Sequence, residues 1–340
     1  MLSSALTNVV ASIPSPPVSS WTWEFGPWTL GPFTFGQFTI HFYALCIIAG
    51  IIAATILTHR RLTRRGAEPW IVIDIALLAV PLAIIGARIF HVVTHPGFYF
   101  GEGSNPWDLT RPGSVWAIWE GGIAIYGALL GGAIGAWLGC KWTGIRFWTF
   151  ADALAPGLLL AQAMGRFGNW FNQELFGLPT DLPWGLEIDP DNAAIPAGLA
   201  EGTLFHPTFL YEVIWNVLGV VVLLWLSRKR VFQWGRLFAV YLIWYGAGRV
   251  VWESIRIDPS EVILGLRTNV WASIAAIVLG IVILAVQARH TGDEPSPYVP
   301  GRGWAGRGTV DSDEDFVDIS EPPSTAVTPE AAATSTAAAK

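Results

Sequence analysis

Seven long apolar stretches govern what this 340-residue chain can become. They run at about 39–58, 70–93, 115–140, 150–171, 208–227, 236–254 and 269–287. A helix rises about 1.5 Å per residue and a bilayer's hydrocarbon core is about 30 Å thick, so roughly 20 apolar residues cross it. In hydrocarbon the backbone must bond to itself, which leaves helices or closed barrels. Composition agrees, since 52% of the residues are hydrophobic and only 14% are charged. Ordinary soluble domains carry about 25% charged residues. Nineteen tryptophans suit a protein with two long membrane–water boundaries, where Trp concentrates. The expected fold is an all-α integral membrane protein. It has seven transmembrane helices, an outer-side polar segment and a disordered C-terminal tail.

Positive charge sets the orientation. Arg60, Arg61, Arg64 and Arg65 follow the first stretch, and Lys141 and Arg146 the third. Arg228, Lys229 and Arg230 follow the fifth, and Arg289 the seventh. Cytoplasmic loops carry the excess of Lys and Arg. The expected protein is therefore multi-pass, with the N-terminus outside and the C-terminus cytoplasmic. Residues 1–38 form an N-terminal segment whose aromatic part, 21–38, reads as no helix but as an arm in the membrane interface. Residues 39–290 form the membrane domain. Residues 172–207 carry Asp181, Glu187, Asp189, Asp191 and Glu201 with no Lys or Arg, and suit the rim of an opening on the outer side.

The net charge of −6 comes wholly from residues 292–340, which hold nine acidic and three basic side chains. Residues 291–340 lack the apolar content to fold alone and read as a disordered acidic cytoplasmic tail. The membrane body is neutral, so no nucleic-acid partner is expected. Cys46 and Cys140 fall near opposite ends of the predicted membrane, beyond the reach of about 7 Å that a disulfide needs. No Cys/His spacing suggests a metal, and no cofactor is expected. Gly127, Gly131, Gly135 and Gly139 recur every fourth residue, a stripe on which a neighbouring helix can approach closely. A lipid groove is the functional alternative, and packing is the expected use.

Residues 165–177, GRFGNWFNQELFG, put a charge, two asparagines, a glutamine and a carboxylate where the surroundings are lipid-soluble. Ionisable groups at membrane depth are expensive and mark function by default. On a helix, Arg166, Asn169 and Gln173 would share one face. In the sixth stretch Arg249 and Glu253, four apart, can pair along a face that also holds Tyr245. Counted from the inner helix ends, Arg166 lies about 24 Å up, Arg249 about 20 Å and Arg88 about 27 Å. Tyr126 lies about 17 Å below the outer end of its stretch. Arginines at one depth suit an anion, because the guanidinium fork grips phosphate oxygens bidentately and keeps its charge. In the outer leaflet that anion is a phospholipid head group. A transporter would also hold midplane charge, but as internal repeats with broken helices, and no duplication is visible.

The same stretch resembles the signature of the prolipoprotein diacylglyceryl transferase family. That pattern is Gly-Arg-x-Gly-Asn-Phe, an apolar residue, Asn-x-Glu, two residues and Gly. Gly165, Arg166, Gly168, Asn169, Asn172, Glu174 and Gly177 match it, and Trp170 stands where the family usually has Phe. His41-Phe42-Tyr43, Gly86-Ala87-Arg88, His206-Pro207 with Leu210-Tyr211-Glu212, and Tyr245-Gly246 with Arg249 and Glu253 resemble further family elements. The resemblance implies that 39–290 is a catalytic domain. It implies transfer of the diacylglyceryl group of phosphatidylglycerol to the lipobox cysteine thiol of a prolipoprotein, with a thioether formed and glycerol phosphate released. The partners implied are phosphatidylglycerol, lipobox-bearing prolipoproteins and membrane lipids. Arg166, Arg249, Tyr126 and Glu253 are the expected catalytic residues. Tyr43, Arg88, Asn169, Asn172, Glu174, Gly177, His206, Glu212 and Tyr245 are the expected substrate-binding set.

One departure concerns the proton. Many family members have His-Gly-Gly in the third stretch, and here Tyr126 replaces that histidine. A phenol with a pKa of about 10 is a poor base near neutral pH, though it can donate a hydrogen bond. Three readings stay open: Tyr126 positions the lipid, a nearby Arg lowers its pKa, or Glu212 or Glu253 takes the proton. Positioning ranks first.

Overall fold

The computed structural model describes residues 12–30, 33–101, 105–108, 113–118, 121–229, 232–290 and 296–302. A β-hairpin, β1 (Ser20–Leu30) and β2 (Phe33–His41), leads into helices α1 (Phe42–Thr63) and α2 (Ile71–Thr94). A short α3 (Pro96–Phe100) precedes α4 (Ile125–Thr143), α5 (Phe147–Phe171), α6 (Thr208–Leu226) and α7 (Arg236–Ser254). A two-residue hairpin, β3 (Val262–Ile263) and β4 (Leu266–Arg267), leads into α8 (Thr268–Gln287). Among the described residues, seven helices of 19 to 25 residues correspond to the seven apolar stretches. Four of them, α1, α2, α6 and α8, are long and apolar enough to cross a membrane. The other three are diluted, α4 by five glycines and α5 and α7 by charged and amide side chains.

Small residues bring the helices together in pairs. A Cβ on Gly127 or Gly131 of α4 would run into the Gly86 and Leu82 carbonyls of α2. On Gly135 it would stand 2.6 Å from Ala79 Cα, and on Gly139 2.9 Å from Ile75 Cα. The glycine stripe is therefore a packing face. Gly50 and Gly157 do the same between α1 and α5, and Gly246 and Gly280 between α7 and α8. Helix α5 lies at the centre, against α1, α6 and α7. Gly131→Val is expected to destabilise by about 3 kcal/mol or more, because the obstacle is backbone that cannot rotate away. The readout is folded yield in detergent. Gly97→Ala, with no atom within 4 Å of the new Cβ, is the control.

Three expectations need correction. The N-terminal arm is not helical, as expected, but neither is the fold all-α. Ser20–Leu30 and Phe33–His41 pair as antiparallel strands, with Trp21 opposite Ile40 and Trp23 opposite Phe38. Trp21 and Trp23, and Thr22 and Glu24 between them, follow the two-residue period of a strand. The register shifts between Glu24 and Trp28, around Gly26 at φ 55°. Trp21, Trp23 and Trp28 stay about two-thirds exposed.

The third stretch does not begin its helix at 115. Helix α4 starts at Ile125, and the described residues before it are irregular. Gly121 and Gly122 have φ of 89° and 68°, a left-handed conformation that costs glycine little. The Arg88 guanidinium holds this loop by donating to the carbonyls of Ser114, Val115, Ala117, Gly121 and Gly122 at 2.6–3.2 Å.

The third correction concerns the tail. Residues 291–295 and 303–340 lie outside the described residues, but 296–302 are folded onto the bundle. Arg146 N donates to Pro297 O at 2.8 Å and Val299 N to Gly144 O at 2.9 Å. The Tyr298 hydroxyl accepts from Glu68 N at 2.9 Å, and its ring packs on a cluster that includes Leu62, Ile71, Ile75 and Ile145. Tyr298 thus staples the α1–α2 turn to the α4–α5 turn. At this same end Arg61 donates to the Asp152 and Ala153 carbonyls, and Asp152 caps α7 by accepting from Gly235 N and Phe238 N. Truncation after Gly292 is expected to lower the unfolding temperature, whereas truncation after Arg302 leaves it unchanged. Equal melting of the two truncations would show that the staple carries no stability.

Candidate active site

Helix α5 ends at Phe171, inside the polar stretch. Gln173 and Leu175 then take left-handed backbones at φ 50° and 60°, sparsely populated for residues other than glycine. Such strain gathers at functional sites. Gln173 is therefore not on the helix face with Arg166, as the spacing predicted. It holds the outer segment instead: Asp189 N donates to its Oε1 at 2.7 Å, and Asn192 Nδ2 to its carbonyl at 2.8 Å.

Arg166 and Asn169 do share a face. Arg166 NH1 donates to Asn169 Oδ1 at 2.8 Å, and Asn169 Nδ2 donates to Glu174 Oε1 at 2.7 Å. Asn172 reaches the same oxygen at 3.4 Å. Arg166 Nε also lies 2.7 Å from Glu212 Oε2, on α6. Glu212 Oε1 in turn lies 3.3 Å from Arg249 NH1, on α7, so one carboxylate joins the two arginines.

The network continues beyond the predicted set. Arg249 NH2 lies 3.0 Å from Glu253 Oε2, and the Glu253 side chain is wholly buried. Arg256 NH1 meets the same oxygen at 2.9 Å, while Arg267 Nε and Asn269 Nδ2 each meet Glu253 Oε1 at 3.0 Å. Asp258 then pairs with both Arg256 and Arg267. Tyr126 joins from α4, its hydroxyl donating to Asn269 Oδ1 at 3.1 Å. Sequence reasoning missed Arg256, Asp258, Arg267 and Asn269. A signal was present: Arg256 and Arg267 sit between the sixth and seventh stretches, which the charge pattern of the sequence assigns to the outer side, where basic residues are expected to be depleted.

The remaining predicted residues frame this network. Tyr43 packs on Gly168, where a Cβ would stand 2.6 Å from its ring. Gly177 threads between the His206 backbone and Ile255, with a Cβ there 2.8 Å from His206 Cβ. His206 Nδ1 pairs with the Tyr211 hydroxyl at 3.1 Å rather than with the arginines. Tyr245 lies one turn before Arg249 and stacks near Tyr241. Arg88 of α2, expected at the common depth with the other arginines, instead binds the loop before α4. A cleft of about 410 Å³ beside Arg88, walled by Ile84, Ile85, Ile89 and Trp116, includes none of the network residues.

Among the described residues, the network holds four guanidiniums, of Arg166, Arg249, Arg256 and Arg267, against the three carboxylates of Glu212, Glu253 and Asp258 in direct contact with them. Glu174 approaches only through Asn169. Both oxygens of Glu212 and of Glu253 are occupied by donors, so these carboxylates orient arginines. Among the described residues two nitrogens of Arg166, Nε and NH1, are engaged, and NH2 is left to meet another acceptor.

Fold and site together define a helical membrane protein that holds a buried arginine–carboxylate network. The chain belongs to the prolipoprotein diacylglyceryl transferase family, whose model matches residues 32–286. A phosphatidylglycerol–prolipoprotein diacylglyceryl transferase from Leifsonia xyli subsp. xyli is 68% identical over 249 residues, covering 73% of this chain and 75% of that protein. Phosphatidylglycerol–prolipoprotein diacylglyceryl transferase 2 from Streptomyces coelicolor is 45% identical over 252 residues, covering 74% and 77%. A relative of the same name from Paenarthrobacter aurescens is 45% identical over 237 residues, covering 68% and 73%.

Proposed function

We propose that this chain transfers the diacylglyceryl group of phosphatidylglycerol to the lipobox cysteine thiol of prolipoproteins. The reading includes seven membrane spans in the inner cell membrane, the N-terminus outside, the C-terminus cytoplasmic and the network in the outer half. The observation that carries it is the excess of one guanidinium over the directly paired carboxylates, in a buried site that therefore suits an anion.

The thiol gives its proton to solvent water, and its sulfur attacks the diacylglyceryl carbon that bears the phosphate. A C–S bond forms as the C–O bond breaks, and the electron pair leaves with the phosphate as glycerol phosphate. Negative charge on the phosphate grows by one unit in this step. Prearranged guanidiniums in a water-poor site stabilise such growth more than they stabilise the starting ester. Arg166 and Arg249 take this role, with Glu212 and Glu253 fixing their planes and Asn169 and Glu174 holding Arg166 from the other side. Tyr43, Asn172, Gly177, His206 and Tyr245 shape the surrounding wall, and Arg88 acts by keeping its loop closed.

Tyr126 is a positioning residue, since its hydroxyl proton is directed at Asn269. Tyr126→Phe deletes one hydrogen bond and is expected to slow transfer about 5- to 30-fold, the equivalent of about 1–2 kcal/mol. A lost general base costs about 100-fold or more. A loss of about a thousand-fold would make Tyr126 the base.

The function itself is tested with purified protein, phosphatidylglycerol vesicles and a lipobox peptide. The peptide is expected to gain the mass of one diacylglyceryl group, and no gain in vesicles lacking phosphatidylglycerol. An unmodified peptide in both would overturn the reading.

A further inference from the structure

The N-terminal segment lies outside the residues that match the family, yet it is built into the outer face of the site. Ile13 pairs in parallel with Leu186, which pairs on its other side with Phe205. Ile13 N donates to Gly185 O at 2.8 Å and Glu187 N donates to Ile13 O at 2.9 Å. The Ser12 hydroxyl donates to the Glu187 carboxylate. The Ile13 side chain packs on an apolar cluster formed by Phe176, Leu186, Phe205 and Phe209, with Trp170 at its margin. Trp170 Nε1 donates to Pro14 O at 3.2 Å, and Trp170 is the next residue after Asn169, which holds Arg166.

These contacts make Ile13 a single parallel β-bridge added on the edge Gly185–Glu187, with Ser12 and Pro14 bonded on either side of it. Strand addition is a common way to bind an extended peptide: main-chain bonds give affinity and pockets for alternate side chains give selectivity. The edge supplies one acceptor and one donor to the main chain, an apolar pocket for one side chain, and a carboxylate for a hydroxyl or amide at the residue before it. None of these contacts is peculiar to a covalently attached strand. The attachment is also short: two main-chain bonds, the Ser12 hydroxyl on Glu187, Trp170 Nε1 on the Pro14 carbonyl and one isoleucine hold residues 12–14, and Ser15, Pro16 and Pro17 follow.

We propose that the edge Gly185–Glu187 is the docking strand for the extended stretch of the substrate polypeptide beside its cysteine, and that residues 12–14 occupy it as a tethered stand-in until a substrate displaces them. This rests on the transferase reading above. It gives the enzyme a threshold: only a peptide that outcompetes the tethered segment reaches the network behind Trp170.

The test uses the full chain with Ile13→Asp, which disfavours the self-docked state, and Ile13→Ser as a milder second variant. If the edge is open about a tenth of the time in the parent, its apparent constant for peptide is raised about tenfold. Both variants are therefore expected to lower KM for a lipobox peptide, by up to about tenfold, with kcat and the KM for phosphatidylglycerol unchanged. A photoreactive lipobox peptide is expected to label residues 182–188, more in Ile13→Asp than in the parent, and a synthetic peptide of residues 11–17 is expected to compete. Labelling does not need turnover. If no peptide is modified but 182–188 are still labelled, the transferase reading fails and the docking edge stands. If peptide is modified with unchanged KM, or labelled elsewhere, the docking proposal is overturned. A lower kcat or melting temperature with an unchanged KM would make the segment a structural latch and overturn it as well.

Discussion

Arg166→Lys is expected to yield a folded, membrane-inserted protein whose transfer rate falls by about 100- to 1000-fold, the loss typical when one prearranged donor to a developing anion is removed. The reason is geometric. Arg166 uses Nε on Glu212 at 2.7 Å and NH1 on Asn169 at 2.8 Å, and so presents NH2 in a fixed direction. Lysine keeps the charge but is a compact point donor on a flexible stem, with no fork to span two anchors and a ligand. Glu212 would keep Arg249 at 3.3 Å, so the site stays partly paired and the fold survives. The measurement is single-turnover transfer at saturating phosphatidylglycerol, with a size-exclusion profile in detergent to show intact protein. A normal rate from well-folded Arg166→Lys would remove Arg166 from the chemistry.

The sequence carried the helices because their signal is collective. Twenty apolar residues in a row speak for a span whatever each one touches, and the four-residue glycine period of α4 speaks for a close neighbour. The parts that escaped it depend on single long-range bonds. Nothing local says that Arg88 will reach five carbonyls of the 114–122 loop, so a depth count gathered it with Arg166 and Arg249. Gln173 looked helical because three- and four-residue spacing does not reveal where a helix stops. Its left-handed backbone is visible only in three dimensions. Aromatic-rich residues 21–38 were seen to be non-helical, but the bulge at Glu24–Trp28 interrupts the alternation by which a hairpin is read. Tyr298 looked like part of an acidic tail because one aromatic docking on a distant core leaves no periodic trace.

The site was legible in its first half. Arg166, Asn169, Glu174, Glu212, Arg249 and Glu253 do come together, and Tyr126 reaches them through Asn269. Its second half, Arg256, Asp258 and Arg267, lies in a short connection. The only clue there was basic charge on the side of the bundle where it is unexpected. That half explains how Glu253 can orient Arg249 without neutralising it, because Glu253 is already shared with two other guanidiniums.

Glu253→Ala is therefore expected to be the most destabilising change in the network. The side chain is completely buried, accepts hydrogen bonds from Arg256 NH1 and Asn269 Nδ2, and is ion-paired with Arg249 and Arg267 at 3.0 Å. Burying a charge is unfavourable unless it is paired, and removing one member of a buried pair costs about 3–5 kcal/mol. Here one deletion takes a partner from three arginines at once. Arg256 and Arg267 retain Asp258, and Arg249 retains Glu212 at 3.3 Å, which limits the damage to that range. With about 2–4 °C per kcal/mol for chains of roughly 150–250 residues and less for longer ones, the unfolding temperature should fall by several degrees. Glu253→Gln separates packing from charge. It keeps the shape and one acceptor oxygen for the arginines, so it should recover much of the stability, yet it leaves Arg249 weakly held and transfer slow. Thermal unfolding in detergent and transfer rates for both variants give the answer. If Glu253→Ala melts with the parent, the three guanidiniums do not depend on this carboxylate, and the shared-anion account of the site is wrong.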